Sequence, residues 1–251
     1  MQLTWLGHSA VHLDIAGRSV LIDPFWTDNP KHPEGFEDAL GHVDFIVLTH
    51  GHSDHLGDSA RLARKYDATV VAIFEIVSYL GAQGIQKFEP MNLGGTVKRD
   101  GLAFTMVHAL HSSAIIEGGK PVTMGDPAGF VIKGEGKSVY HAGDTEIFSD
   151  MALIQRIHQP KIGLIPIGDR FTMGPETAGI ACNEFLDLEV IVPIHHSTFD
   201  LLSGDPETFK TFEELYAAFE KQLQFNEDVL RRGAWIASML CADFLPVPWR
   251  S

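Results

Sequence analysis

A mixed α/β fold is predicted by three observations. Short apolar runs, such as Val43 to Leu48 and Ile162 to Ile167, each break at a polar turn and give way to helical spacing. Period-two alternation recurs, as in Val11-His12-Leu13-Asp14-Ile15 and Leu102 to His108. Histidine and aspartate, side chains suited to holding metals, gather where the strands end.

The elements follow in order. Thr4 to Ser9 reads as a first strand, with His8 at its end beside Gly7; Val11–Ile15 is the second. Ala16-Gly17-Arg18 turns the chain into Ser19–Ile22, and Asp23-Pro24-Phe25 closes that strand. His12 alternates with apolar neighbours and is read as structural. From Pro24 to Val43 no periodicity holds, and the segment carries Phe25, Trp26 and Phe36. A loop this long suggests a flap whose aromatics cover a substrate, or a surface loop pinned by them. After the polar turn at 49–58, Ser59–Tyr66 is helical, Thr69–Ile73 a strand, Glu75–Gln83 a helix and Phe88–Gly95 a turn.

Leu102–His108 runs into Ala109-Leu110-His111-Ser112-Ser113. His111 lies just past the strand end and is preferred over His108, which lies on the strand. Gly129–Lys133 and Ser138–His141 form a hairpin, and Gly143-Asp144-Thr145 follows. Asp144 is read either as a metal ligand or as a turn or cap residue before a helix near Ser149. Ile162–Ile167 leads to a loop with Asp169, Arg170 and Thr172, after which Pro175 opens a helix over Glu176–Leu188. Val190–Ile194 ends in His195-His196. Side chains alternate along a strand, so one of that pair is expected to face a site. From Asp205 the pattern turns helical, with an apolar stripe at Phe209, Phe212, Leu215, Tyr216 and Phe219, then a second helix over Asn226–Cys241 and a tail. Such a stripe suits core packing or a contact between copies. There is no internal repeat and no linker. One domain over 1–251 is expected, with 205–251 as a helical extension.

Composition bounds the function. Of 251 residues, 45% are hydrophobic, enough for a substantial core. The net charge of 19 − 33 = −14 repels nucleic acid. No run of 18 apolar residues exists, so no transmembrane helix is expected. The first residues show no basic-then-apolar leader, and Cys182 and Cys241 are far apart, so thiols in a reducing cytoplasm are expected over a disulfide.

The chemistry concentrates in Thr49-His50-Gly51-His52-Ser53-Asp54-His55, where three histidines and one aspartate fall within six residues. Small Gly51 and Ser53 let a short loop aim several ligands inward. His50 and His52 can meet one ion while Asp54 and His55 meet a second. This His-x-His-x-Asp-His run resembles the signature of the metallo-β-lactamase superfamily. Gly7-His8-Ser9, His111-Ser112-Ser113 and the Gly168 to Pro175 segment further resemble its metal-dependent hydrolases of the L-ascorbate-6-phosphate lactonase and N-acyl-phosphatidylethanolamine phospholipase D type. The resemblance covers about residues 1–204.

It implies an αββα sandwich with two divalent ions, zinc favoured and manganese, nickel or iron open. His50, His52 and His111 would hold one ion, Asp54, His55 and His195 the other, and Asp144 would bridge. A hydroxide shared by the ions would cleave an ester, lactone or phosphodiester bond of a small molecule. Asp54 would hold the nucleophile or take its proton, and His8 and Asp169 would act beside it, although a plain surface histidine is an equal reading of His8. No Gly-x-Ser-x-Gly or Ser-His-Asp pattern stands out, and no second domain of the nuclease type or flavin domain is seen. The rival reading is a non-catalytic metal-binding or sensing protein.

Overall fold

The computed structural model describes residues 1–211. Two six-stranded sheets stack face to face. The first takes β1 (Gln2–Trp5), β2 (Val11–Ile15), β3 (Arg18–Ile22), β4 (Phe45–Val47), β5 (Thr69–Ile73) and β6 (Phe88–Met91) in that spatial order. The second takes β7 (Thr96–Arg99), β8 (Leu102–His108), β11 (Ala128–Gly134), β12 (Lys137–His141), β13 (Ile162–Pro166) and β14 (Val190–Ile194), with β7 and β14 at its edges. A separate hairpin pairs β9 (Ala114–Glu117) with β10 (Lys120–Thr123).

Period-two alternation builds the layers. On β11, Phe130 and Ile132 face the core between the sheets, while Val131 faces away. On β12, Val139 and Tyr140 divide in the same way, as do Leu164 and Ile165 on β13. Phe45 of β4 meets Phe104 of β8 at 5.0 Å between ring centres, which ties the sheets together. Outside the first sheet lie α3 (Ser59–Tyr66) and α4 (Phe74–Ala82), burying Leu62, Ile76 and Leu80. Outside the second lie α5 (Met151–His158) and α6 (Pro175–Glu184), burying Met151, Ile154 and Ala181. The result is the four-layer αββα arrangement. Two further helices, α1 (Phe36–Ala39) and α2 (Ser53–Leu56), are one turn long. No helix among the described residues is long and apolar enough to cross a membrane.

Several expectations are corrected. The first strand stops at Trp5, because Gly7 (φ 88°) and His8 (φ 56°) turn left-handed. Residues 88–91 are no turn but an edge strand parallel to β5, where Pro90 sits without breaking a central ladder. The segment 24–43 is not a flap of aromatics. Trp26 is buried in the core, stacked on His32, and Phe36 packs against both. Phe25 alone of the three borders the histidine cluster, 5.8 Å from the His8 ring. Helix α6 ends at Glu184 instead of Leu188. Residues 206–211 are helical, opened by Asp205, whose carboxylate accepts from the Thr208 N–H (3.0 Å). Phe209 is buried there, whereas Phe212, Leu215, Tyr216, Phe219, the 226–241 helix and Cys241 lie outside the described residues.

Candidate metal centre

Seven of the residues singled out in the sequence converge at one end of the two sheets. The parallel strand β4 runs into Thr49-His50, and α2 then presents Asp54 and His55. His111 follows β8, Asp144 follows β12 and His195 follows β14. Their donor atoms form three overlapping groups, each with members within 4.8 Å of one another: His50, His52 and His111; His50, His55 and Asp144; and His8, Asp54, His55 and His195.

Asp144 lies at the centre. Its Oδ2 is 3.0 Å from His195 Nε2, 3.3 Å from His55 Nε2, 3.6 Å from His111 Nε2 and 3.9 Å from His50 Nε2. It is not a helix cap, because α5 begins at Met151 after Asp150. Burial opposes its charge, but the surrounding imidazoles His195 and His55 prevail and hold it well below the usual carboxylate range.

Three of the outward-facing nitrogens are occupied. His50 Nδ1–H donates to Thr49 Oγ1 (3.0 Å), His52 Nε2 faces Ser112 Oγ (3.3 Å), and His55 Nδ1–H donates to Asp23 Oδ2 (2.8 Å). The inner nitrogens face one another or the Asp144 carboxylate. His50 Nε2 and His52 Nδ1 point at each other across 2.9 Å. His111 Nε2 and Asp144 Oδ1 are buried with no hydrogen-bond partner, and His55 Nε2 has none of good geometry. Lone pairs converging in this way, backed at His50, His52 and His55 by second partners, fit divalent cations with nitrogen and oxygen ligands at about 2.0–2.2 Å. Burial lowers the proton affinity of His55, yet Asp144 and Asp23 on either side outweigh it and push that imidazole well up. A cation would displace this proton.

His8 joins the cluster. It is buried at the left-handed turn, and its Nε2 donates to Asp54 Oδ2 (3.0 Å) while Nδ1 lies 3.0 Å from Thr198 Oγ1. Burial lowers its pKa to about 4, so the ring is neutral. Asp54 is held below the ordinary carboxylate range: burial opposes this, and His8 and His55 overcome it. Asp169 stands apart. It is exposed, in none of the three groups, and its Oδ2 accepts from Ser203 Oγ (2.8 Å).

Three supporting residues escaped the reading of the sequence. Buried Asp23 accepts from Thr49 N–H (2.8 Å), Thr49 Oγ1–H (2.6 Å) and His55. Thr49 passes the same support to His50. His141 donates from Nε2 to Ser9 O (3.0 Å) and accepts at Nδ1 from Gly143 N–H (3.1 Å), so it pins the loop of His8 to the loop of Asp144. The one hint was Asp-Pro at a strand end, where Asp23 takes φ 44°; strained residues of this kind cluster at functional sites. Asp23→Asn puts an N–H against donors. It is expected to cost about 1–3 kcal/mol of stability and to weaken cation binding roughly 10–100-fold, as read by melting and by competition with a chelator. Unchanged affinity would show that Asp23 does not orient His55.

The chain is similar to known proteins over most of its length. The model of the β-lactamase superfamily domain matches residues 18–196. A UPF0173 metal-dependent hydrolase of Azorhizobium caulinodans is 50% identical over 215 residues, covering 83% of this chain and 91% of its own. One from Methanopyrus kandleri is 47% identical, covering 84% and 90%. Among solved structures, Igni18, described as a metallo hydrolase of the archaeon Ignicoccus hospitalis, superposes with a TM-score of 0.77 at 38% identity, over 86% of this chain and 91% of that one.

Proposed function

The chain belongs to the metallo-β-lactamase superfamily as a metal-dependent hydrolase, and on that premise we propose that it uses a dinuclear centre to hydrolyse an ester, lactone or phosphodiester bond of a small molecule. The observation that carries the reading is the position of Asp144 Oδ2, within 3.9 Å of imidazole nitrogens belonging to both triads. His50, His52 and His111 would hold one ion, Asp54, His55 and His195 the other, and Asp144 would stand between. Zinc is the ion best matched to this His-rich set, and manganese, nickel or iron also take such ligands.

Bound divalent ions supply Lewis acidity, polarising a substrate oxygen and lowering the pKa of water toward about 7. The chain's own groups do the rest. His8 Nε2–H holds Asp54 through Oδ2, which leaves Oδ1 to orient a water or receive its proton. Neutral His8 adds no positive charge beside the cations. His141 and the backbone bond from His195 N–H to His8 O (2.9 Å) lock the loops from both sheets into one rigid rim. Asp169, bonded to Ser203, acts at most at the outer edge.

Purified protein should carry about two divalent ions per chain, one for each proposed triad. Chelation should abolish turnover of bis-p-nitrophenyl phosphate, lactones and aryl esters and lower the melting temperature, because an ion that binds only the folded state stabilises it. Re-addition of zinc should restore both. A content below one ion per chain, with the seven side chains intact, would sink the dinuclear reading. Two ions without turnover of any ester, lactone or phosphodiester would favour a non-catalytic metal-binding role.

A further inference from the structure

Two clefts flank the one-turn helix α2, and both are lined by Ser53, Asp54 and Gly57. The first, about 710 Å³, holds Phe25 and Phe199 together with Asp28, Asp58, Arg61 and Arg64. The second, about 610 Å³, lies between α2 and the β9–β10 hairpin. Its walls are Leu56, Tyr79, Ala114, Ile115 and Ile116, and it opens on His52 and Asp54. Among the described residues, no lysine or arginine lines it. Asp54 is the one carboxylate among those described residues, and that group belongs to the proposed centre.

The hairpin that forms the outer wall is anchored to the site. Gly51 N–H donates to Ser113 Oγ (3.0 Å), and Met124 N–H donates to Ser113 O (3.0 Å). The approach is so close that a Cβ on Gly51 would lie 2.2 Å from Met124 Cβ. At its tip, Tyr79 Oη donates to Glu117 Oε1 (2.7 Å), a tie to α4. On this fixed wall Ile116 is 70% exposed. Leu110, Phe171, Phe199 and Leu201 are exposed too, on loops that leave the same end of the sheets. Single exposed apolar residues are ordinary, but a rim of them around a polar centre marks a place that receives apolar matter.

We propose that the cleft between α2 and the β9–β10 hairpin receives the aliphatic chain of a neutral carboxylic ester, making Ile116 and Leu56 specificity determinants for a medium-chain acyl group. This rests on the hydrolase reading above. A phosphorylated or carboxylated arm would find no lysine or arginine among the described residues of this cleft and would meet the chain's −14 charge. An alkyl chain would replace water along Leu56, Ile115 and Ile116. In the reaction, the oxygen of water bonds to the acyl carbon, the C–O bond to the alcohol breaks, and a proton passes to the departing oxygen. Free acid and alcohol result, with no oxidant or reductant required.

The test uses metal-loaded enzyme and p-nitrophenyl acetate, butyrate and octanoate. kcat/KM is expected to rise about threefold per added methylene, mostly through KM, as each buries its surface. Ile116→Asn should lower the octanoate-to-acetate ratio at least tenfold, and Ile116→Leu should retain it. Binding of octylphosphonate and methylphosphonate, which have no scissile ester, gives a readout independent of turnover. Octylphosphonate should bind at least thirtyfold tighter, and Ile116→Asn should erase that margin. Equal binding of the two phosphonates, or an octyl preference untouched by Ile116→Asn, overturns the proposal. An octyl preference erased by Ile116→Asn, in an enzyme that cleaves no ester, upholds the cleft and removes the esterase reading instead.

Discussion

Asp144→Ala is expected to lower affinity for both cations at least a hundredfold and to cut turnover a thousandfold or more. The side chain is buried, and Oδ2 is the one carboxylate oxygen that nitrogens of both proposed triads approach within 3.9 Å. Without it, two dications would face each other across neutral imidazoles with Asp54 as the remaining carboxylate of the set. Removing one partner of a buried charge pair costs about 3–5 kcal/mol, and about 2.7 kcal/mol is already a hundredfold. Asp144→Asn keeps the shape and loses the charge, so it separates charge from packing and should lose cations nearly as severely. Chelator competition measures each affinity, and circular dichroism shows whether the apo variant stays folded. Asp169→Ala is the control: an exposed carboxylate bonded to Ser203 should leave metal content unchanged. If Asp144→Ala loses one ion and keeps the other tightly, Asp144 is a ligand to a single site.

What was legible in the sequence was local. The turn at 49–58 declares itself because its ligands are neighbours in the chain. Strands β2, β5, β8 and β11 show because each buries a face and so carries alternation or an apolar run, and β14 shows by its apolar run alone. Two of the edge strands are harder: β7 is mostly exposed, and Pro90 in β6 reads as a breaker. The β9–β10 hairpin carries a Gly118-Gly119 turn between β-branched residues, a signal the residues did offer. Asp23 and His141 were missed for another reason. Their partners Thr49, His55 and Ser9 lie 26, 32 and 132 residues away, and no local period encodes such bonds. The same holds for the choice between a flap and a pinned loop at 24–43: only packing shows that Trp26 faces the core while Ile116 stands at the mouth.

His195→Ala is expected to remove one of two ions and nearly all turnover, at least a thousandfold, while His196→Ala keeps both ions. The reason is not strand alternation, because β14 ends at Ile194. His195 is already in a left-handed turn (φ 55°), held there by its N–H bond to His8 O (2.9 Å). Gly168 packs against that turn so closely that a Cβ there would lie 2.0 Å from His195 O. The turn swings the imidazole inward until Nε2 is 3.0 Å from Asp144 Oδ2. The next residue is thrown the other way. His196 stacks on Trp5, with ring centres 5.0 Å apart and planes at 13°, and its Nδ1 lies 3.0 Å from Ser197 Oγ. Its loss removes a stacked pair worth about 0.5–1.5 kcal/mol, a shift read in the melting temperature rather than in metal content. His195→Gln, which keeps bulk without an imidazole, should behave like alanine. Retention of both ions in His195→Ala, with loss in His196→Ala, would place His196 at the second ion and displace His195 from the proposed set.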